Sequence, residues 1–401
     1  MTRIIALSAL FLLCSLSSPA QQAPLASEAP GQSPSTSPTL TPRSHEERES
    51  RYRAEHRIVL NVLVTDAALK PVTGLTQEDF TLLDNRQTAK IASVRAMTGS
   101  APSSKVHVIL MLDTVNNSAR NAANTRREIE RYLGQRQAPL PYPTAIAILS
   151  ASGAEMGQST RDAGALTAEL SRRFSDLRPY ECADIVEGED QPQATGTLSR
   201  AAALNLDPAP DRTRAGTCLN QRFQLSLSAL KRLARRQIDV PGRAILIWTG
   251  SGWPLLTSRE FRPDTPEIKR NFYDNLVALS TSLREAQLTL DAVSAPDLFR
   301  RAELRSDSDN AFFDGVPSEN EMAASRLRLQ ALAHQSGGQI LDQSKDIAGG
   351  IDRCLADAES YYALAFDSAP AAAPGEYHSL DVKVNRPGLT VRTNTNYYAA
   401  P

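Results

Sequence analysis

The segment from Lys105 to Ser118, KVHVILMLDTVNNS, constrains the fold of this chain more than any other. It contains a nearly continuous apolar run, Val106 to Leu112, which ends at Asp113 and is followed by small polar residues. A short unbroken apolar run is typical of a strand buried on both faces, as in a parallel sheet covered by helices. Open α/β sheets bind ligands beyond the carboxyl ends of their strands. The turn after Asp113 is therefore the first candidate for a binding site.

Apolar strands and amphipathic helices alternate after this first strand. The predicted strands are Thr144 to Ser150, Arg243 to Trp248, Leu288 to Val293, Gly338 to Leu341 and Tyr361 to Phe366. The predicted helices are Ala119 to Leu133, Ala163 to Arg173, Leu219 to Arg236, Thr265 to Gln287, Glu319 to His334 and Ile347 to Glu359. This alternation predicts an α/β domain over residues 104–367 with a doubly wound, mostly parallel sheet. Residues 177–218 have little periodicity and predict a long inserted loop.

Both ends of the folded region carry a different pattern. Apolar residues alternate with polar ones in Arg57 to Thr65 and again in Tyr377 to Val384, which is typical of strands with two unlike faces. Residues 55–100 and 376–399 are each too short to form a stable β structure alone. We therefore expect the two segments to build one small satellite sheet together.

The first residues have the features of an export signal. Arg3 provides a positive start, Ile4 to Leu16 an apolar stretch, and Ser18-Pro19-Ala20 a small-residue cleavage site. A membrane anchor is the alternative, but the apolar stretch is shorter than the about 20 residues that a spanning helix needs. Residues 21–43 are rich in Pro, Ser and Thr, and residues 44–54 are charged and are compatible with a frayed helix; together, residues 21–54 are predicted to be a disordered linker. We expect a periplasmic or extracellular protein with no transmembrane segment after removal of residues 1–20.

Charge and motif content argue against several functions. The chain has 44 Lys and Arg residues against 45 Asp and Glu residues, so no global field attracts nucleic acid. Ser251 follows a predicted buried strand, but Thr249 replaces the first glycine of the nucleophile motif G-x-S-x-G. The five histidines form no H-E-x-x-H motif. We predict no enzymatic activity; the alternative is a hydrolase that uses Asp113 or Ser251.

Three cysteines remain after removal of the predicted signal peptide. Cys182 and Cys218 bracket the predicted insertion, and disulfides persist in exported proteins, so we predict a bond between them. Free thiols are the alternative. Cys354 lies on the apolar side of a predicted helix and is expected to be a buried thiol. No C-x-x-C motif is present, so a redox site or a cysteine-rich zinc site is not expected.

Several segments together resemble a known family. They are PVTGLTQEDFTLLDN (71–85), VILMLDTVNNS (108–118), PGRAILIWTGSG (241–252), LAHQSGGQIL (332–341), SYYALAF (360–366) and VNRPGLTVRTNTNYYA (384–399). In this order they resemble the secreted von Willebrand factor type A (VWA)-related proteins of Acidobacteria. The resemblance implies a Rossmann-like VWA domain and a role in protein binding rather than catalysis.

The resemblance also implies a metal-ion-dependent adhesion site, which this sequence matches only in part. The family's first motif is D-x-S-x-S, and here Asp113 matches the aspartate while Val115 and Asn117 stand at the two serine positions. Gly250 stands where a further aspartate is expected. Hard cations need oxygen ligands and negative charge, so Asp113 and Asn117 alone would hold Mg²⁺ weakly. We therefore expect a degenerate site and no resident cofactor.

These observations predict an exported adhesion module that binds a protein or a cell-envelope partner at the loops after the strands. The loops are 113–118, 150–157 and 249–253. Trp253 is either an exposed anchor for the partner or the edge of the core. The alternative role is a structural envelope protein without a ligand. The predicted partner-binding residues are Asp113, Asn116, Asn117, Ser118, Thr249, Ser251 and Trp253.

Overall fold

A computed structural model of the chain describes residues 56–99, 105–136, 139–182, 209–250, 252–253, 265–293, 313–322, 327–341, 346–368 and 371–399. Several predictions fall outside the described residues. They concern the signal peptide 1–20, the linker 21–54, Ser251 and most of the insertion, residues 183–208.

The described elements follow one another in a mixed α/β order. The strands are β1 (Arg57–Thr65), β2 (Phe80–Asp84), β3 (Gln87–Ala89), β4 (Ile91–Thr98), β5 (Val106–Asp113), β6 (Thr144–Ser150), β7 (Gly153–Met156), β8 (Arg243–Thr249), β9 (Leu288–Val293), β10 (Ile340–Leu341), β11 (Ser360–Asp367), β12 (Glu376–Val384), β13 (Thr390–Arg392) and β14 (Asn396–Ala399). The α-helices are α1 (Ala119–Gly134), α2 (Ala163–Ser175), α3 (Ala209–Ile238), α4 (Pro266–Glu285), α5 (Leu329–Gln335) and α6 (Ile347–Glu359).

The central sheet has the strand order β10-β9-β8-β5-β6-β7 in the described part of the chain. All neighbouring strands pair in parallel except β7, which pairs antiparallel with β6. Helices α3, α4 and α5 pack on one face, and α1, α2 and α6 pack on the other. The prediction of an α/β fold with a mostly parallel sheet between helices is confirmed.

Strand β5 shows why its sequence is an unbroken apolar run. Ile109 and Met111 belong to the core on the α3 and α4 side, whereas Leu110 and Leu112 belong to the core on the α1 and α6 side. Because alternate side chains of a strand point to opposite faces, both sets must be apolar when both faces are covered. The chain runs from β5 to β6 on one side and later returns to β8 on the other side of β5. The carboxyl ends of β5 and β8 therefore flank the point where the strand order reverses, the usual place for a ligand crevice.

The terminal strands form two antiparallel sheets rather than the one satellite sheet that we expected. Their strand orders are β13-β1-β11-β4 and β14-β12-β2-β3. The two sheets share one apolar core, in which Leu60 of β1 and Leu364 of β11 pack with Leu82 of β2 and Val382 of β12. Each sheet supplies the apolar cover that the other lacks.

Strand β11 does not belong to the parallel sheet, so the prediction of Tyr361 to Phe366 as its last strand is wrong. It pairs antiparallel with β1 and β4, and Leu364 lies opposite Leu60. Its run is apolar because its two faces meet two different cores: Tyr361 contacts the central domain, and Tyr362 lies in the core between the antiparallel sheets. Periodicity alone cannot distinguish this environment from a central parallel strand.

Three local predictions also differ from the structure. Within the loop expected at 150–157, Gly153–Met156 forms β7, and Gly153 has the positive φ of +100° that a tight turn after β6 uses. Helix α3 starts at Ala209 and not at Leu219, so residues 209–218 of the predicted inserted loop are helical. Pro210 is compatible with this start, since proline is tolerated in a first helical turn. In the predicted helix 319–334 the structure has a 3-10 turn, Glu319–Glu321, and the short helix α5.

Candidate functional site

The carboxylate of Asp113, at the carboxyl end of β5, is the centre of a buried hydrogen-bond network. Its Oδ1 accepts bonds of 2.9 Å from the backbone N–H groups of Val115 and Asn116. Its Oδ2 accepts bonds from Asn116 Nδ2 at 2.7 Å and from Trp248 Nε1 at 2.9 Å. The Asp113 side chain is fully buried. Two donors therefore serve each carboxylate oxygen.

The protonation state of Asp113 depends on two opposing effects. Burial raises the pKa of Asp113, because an ionised carboxyl group loses its hydration, and the hydrogen bonds from Asn116, Trp248 and Val115 oppose that rise. All four bonds come from N–H donors. The ionised form is thus the one that the network satisfies, since a protonated oxygen would face a donor.

Helix α3 closes the network from the side. Asn116 Nδ2 donates to Ser226 Oγ at 2.8 Å, and Arg222 Nη2 donates to the backbone oxygen of Asn116 at 3.2 Å. Arg222 is 5% exposed, so a buried guanidinium lies next to the Asp113 turn. The sequence analysis did not single out Arg222 or Ser226. Their positions in the sequence could have indicated them. Arg222 directly precedes Phe223, and Ser226 directly precedes Leu227, so both lie at the edge of the apolar stripe of α3.

The second strand tip comes too close for a side chain at position 250. Asn117 Nδ2 donates to the backbone oxygen of Asp113 at 2.8 Å, and a Cβ added to Gly250 would lie 2.3 Å from that nitrogen. Gly250 also has a φ of +144°, which favours glycine. Thr249 is buried and its hydroxyl donates to the backbone oxygen of Met111 at 2.6 Å. Both residues join β8 to β5.

Ser118 begins helix α1. Its Oγ accepts from the backbone N–H of Asn121 at 3.3 Å, and its own backbone oxygen accepts from Ala122. Ser118 is therefore the N-cap of α1. The side chain of Asp113 instead bonds to the turn that precedes the helix.

Trp253 lies in the core and not on the surface. It is 5% exposed, and its ring centroid lies 5.7 Å from that of Phe223 and 6.0 Å from that of Trp248. Its indole Nε1 is buried and has no hydrogen-bond partner among the described residues. Of the two alternatives for Trp253, the structure supports the core position. A partner cannot use this ring as an anchor without a local rearrangement.

The predicted site residues converge, but their side chains face inward. Asp113, Asn116 and Asn117 come from the β5 turn and lie next to Thr249 at the tip of β8. Every described member of the predicted set is less than 9% exposed. The polar side chains of the loop after β5 therefore bond to one another and to residues of α3 and β8, whereas the sequence pattern predicts a polar surface.

These residues do not fit a divalent cation. Both Asp113 oxygens already accept two N–H donors, and Asn117 directs its amide nitrogen, a donor, toward the Asp113 backbone. A hard cation needs oxygen ligands with free lone pairs and more than one negative charge. In the described ranges, no group of three or more His, Cys, Asp or Glu residues is arranged to hold a metal.

A small pocket opens beside this network, between the start of α1 and the end of α2. Its volume is about 140 Å³, and we call it the rim pocket. Arg178 and Phe174 line it, and Arg178 is exposed while Phe174 is partly buried. The other lining residues are Thr114, Asn117, Ala119, Ala122, Leu177, Pro179 and Tyr180. Its wall is thus mainly apolar, with Asn117 shared with the Asp113 network.

The disulfide lies next to the rim pocket. Cys182 and Cys218 are bonded, which confirms the predicted pairing, and they are 36 residues apart in the sequence. The hydroxyl of Tyr180, two residues before Cys182, donates to Gln221 of α3 at 3.4 Å. The disulfide therefore links the segment after α2 to α3, the helix that carries Arg222. Cys354 is a free, buried thiol, and burial raises its pKa.

No helix among the described elements is both long enough and apolar enough to span a bilayer.

Comparison with known proteins identifies no family. No protein-family model matches the sequence, and no curated protein is similar to it. Solved structures that match part of this chain at low similarity include proximal thread matrix protein 1 from the mussel byssus (TM-score 0.30, 9% identity, covering 68% of this chain and 50% of that chain). A second is the human COPII-coat protein Sec24c (TM-score 0.30, 8% identity, covering 75% of this chain and 44% of that chain). A third comprises three N-terminal domains of the type V pili tip protein Mfa5 from Porphyromonas gingivalis (TM-score 0.25, 10% identity, covering 86% of this chain and 67% of that chain). This chain spans about half the length of the first two.

Proposed function

We propose that this chain is an exported, non-enzymatic binding module with a VWA-like central domain, which docks a protein partner at the rim pocket without a metal ion. The pocket itself is the observation that carries the proposal. It lies at the carboxyl-end edge of the sheet, where α/β folds bind ligands. Next to it, the polar residues of the β5 turn are buried and bonded to one another.

The walls of the pocket favour one kind of partner segment. Phe174 and Leu177 provide an apolar lining, and a cavity of about 140 Å³ accepts one side chain of the size of leucine or methionine. Arg178 is exposed on the rim and makes no ion pair with another described residue. An acidic residue beside the apolar side chain would therefore complement the rim. We propose a peptide segment of this composition as the ligand.

The same geometry disfavours catalysis. Asp113 is fully buried and both of its oxygens are occupied, so no substrate atom can reach it without breaking the network. A nucleophile or a general base must lie within hydrogen-bond distance of its substrate. We therefore keep binding, and not hydrolysis, as the proposed role.

Selection from a displayed random-peptide library against the immobilised protein tests the proposal. We expect enrichment of peptides that carry a leucine or methionine next to an aspartate or glutamate. Ala119 is exposed at the pocket mouth, so Ala119→Trp should fill the opening and weaken binding of the selected peptides about tenfold or more. The matched control is Ala168→Trp, an exposed position of α2 that does not line the pocket. No enrichment, or equal binding to the wild type and Ala119→Trp, would overturn the proposal.

Export can be tested separately. The Cys182–Cys218 bond supports an oxidising compartment, because cytosolic thiols are kept reduced. Expression of the full chain in a bacterium with a periplasm should yield a protein that has lost residues 1–20, as measured by intact mass. A periplasmic or secreted product of full-length mass would contradict the predicted cleavage.

A further inference from the structure

A second cavity lies at the opposite edge of the central sheet. Its volume is about 390 Å³, and it is formed by α4, the start of β1, the turn before β12 and β14. Arg284 lies in the last turn of α4, just before β9 begins, whereas Asp113 lies where β5 ends. Parallel strands begin at one edge of a sheet and end at the other. This cavity, which we call the Arg284 groove, is therefore separate from the rim pocket.

The guanidinium of Arg284 is buried without a matched counter-charge. Its side chain is 16% exposed, and its Nε has no hydrogen-bond partner in the described part of the chain. The Oε1 atom of Glu285 lies 4.0 Å from Nη2, and the Glu285 side chain is 51% exposed. Burial lowers the pKa of Arg284, and the charge of Glu285 opposes that change. A buried cation that lacks close hydrogen-bonded partners costs free energy, which a bound anion would offset.

Arg57 and Arg284 both line the groove, and Arg284 is the one without a close carboxylate partner. Arg57 donates from Nε to Asp367 Oδ1 at 2.7 Å and is thereby paired. Glu285 is about half exposed, and its carboxylate lies 4.0 Å from the Arg284 guanidinium, which is too far for a hydrogen bond. The hydroxyl-bearing residues Thr281 and Ser368 also line the groove. Their hydroxyl groups can donate hydrogen bonds to the carboxylate oxygens of a ligand or to oxygens in the uncharged part of that ligand.

The size and walls of the groove fit a compact organic ligand. Small-molecule sites in proteins typically have volumes of about 300–1,000 Å³, and the Arg284 groove falls within this range. Tyr397 and Tyr398 of β14 are among the residues of its wall. Guanidinium and carboxylate groups match in planar geometry and form paired bonds. A carboxylate attached to a compact organic body would therefore use both the Arg284 side chain and the walls of the groove.

We propose that the Arg284 groove binds a small organic carboxylate, with the carboxylate on the Arg284 guanidinium and the uncharged body against the tyrosine wall. This site is independent of the partner-binding role assigned to the rim pocket. The chemical class includes acidic sugars and other compact carboxylic acids.

Calorimetric titration of the whole protein with three probes tests the proposal. D-galacturonate should bind saturably, whereas D-galactose, which lacks the carboxylate, and inorganic phosphate, which lacks an organic body to contact the groove walls, should bind at least about tenfold more weakly. Arg284→Met should weaken galacturonate binding about tenfold or more. Lys269→Met, which removes one partly exposed cation from the same helix, should not change it. No binding of galacturonate, equal binding of galactose or phosphate, or unchanged binding by Arg284→Met would overturn the proposal.

A second variant keeps the experiment informative if Arg284→Met fails to fold. Thr281 lines the groove and is partly exposed, so Thr281→Trp should fill the groove and abolish galacturonate binding while Arg284 stays in place. Ala278→Trp, at an exposed position of α4 that does not line the groove, is the matched control. Binding that survives in a folded Thr281→Trp protein would place the ligand elsewhere and overturn the assignment.

Discussion

The indole Nε1 of Trp248 donates a 2.9 Å hydrogen bond to Oδ2 of Asp113, so a buried side-chain bond joins β8 to the carboxyl end of its neighbour β5. Both side chains are fully buried. At the reversal point of the strand order, where a crevice is expected, the two strands are thus linked by a tryptophan and a carboxylate. Removing either partner leaves the other polar group buried without a full set of bonds.

Replacing each of the two tryptophans by phenylalanine separates this bond from simple packing. Trp248→Phe removes a donor to a buried carboxylate, and we expect it to lower the free energy of unfolding by about 1–3 kcal/mol more than Trp253→Phe does. Trp253 is a suitable control because it is also buried, while its Nε1 has no hydrogen-bond partner among the described residues. Urea unfolding followed by circular dichroism measures both. Equal losses would mean that the bond to Asp113 contributes nothing.

Calorimetric titration with Mg²⁺, Mn²⁺ and Ca²⁺ should give no saturable heat that depends on Asp113. The reason is that Asn116, Val115 and Trp248 already occupy the lone pairs of the carboxylate. A cation would have to displace several N–H donors and bind at a site with a single carboxylate. Saturable binding in the micromolar range that Asp113→Asn abolishes would show that the network opens to admit a metal.

The sequence was enough to predict most strands of the central sheet, but not β7 or the burial of the polar residues at the carboxyl-end edge. Strands β5, β6, β8 and β9 follow from mainly apolar runs, because burial on both faces favours apolar side chains. The segment Asn116-Asn117-Ser118 is equally compatible with an exposed polar loop and with a buried one. Its burial depends on Arg222 and Ser226, which are more than 100 residues away in the sequence. Local patterns carry no information about such contacts.

For the terminal sheets, the sequence predicts the strands but not how they pair or how many sheets they form. The alternation of β1 and β12 correctly indicated strands with one apolar face, but the number of sheets depends on which faces meet. Strand β11 has apolar residues on both faces because it separates two cores, and Tyr361 and Tyr362 point into different ones. A central parallel strand has the same composition. Only the pairing of β11 with β1 resolves the two possibilities.

Stability should depend on pH through Asp291, a fully buried residue of β9. Its Oδ1 accepts from the backbone N–H of Gln339 at 2.7 Å, while its Oδ2 has no partner among the described residues. Burial, with a further contribution from the charge of Asp357, raises the pKa of Asp291 to about 7. Gln339, Arg392 and Arg243 oppose the rise. The thiol of Cys354 also faces this carboxyl group.

The direction of the effect follows from the two pKa values. In the unfolded chain an aspartate ionises near pH 4, so between about pH 4 and about pH 7 the folded state holds the additional proton. The stabilisation from this proton is complete below the unfolded value and is lost as the pH rises through that window. The wild type should therefore lose up to about 1.4 kcal/mol per pH unit relative to Asp291→Asn, which does not titrate. Urea unfolding of both proteins from pH 4 to 8 measures the difference, and parallel profiles would contradict it.

Introducing a side chain at Gly250 should destabilise the protein instead of restoring a metal ligand. In Gly250→Ala the added Cβ would lie 2.3 Å from Asn117 Nδ2, which is a steric clash. The backbone at this position also has a φ of +144°, which disfavours any residue with a side chain. Gly74→Ala separates these two effects, because Gly74 also has a positive φ, +77°, but no atom within 4 Å of an added Cβ. The backbone strain common to both should cost about 1–3 kcal/mol, and Gly250→Ala should cost more because Asn117 must move and break its bond to Asp113. Urea unfolding of the two variants measures the difference, with Gly250→Asp as the variant that adds the carboxylate. A Gly250→Asp protein as stable as Gly74→Ala would mean that Asn117 yields at little cost and that a second carboxylate can be accommodated beside Asp113.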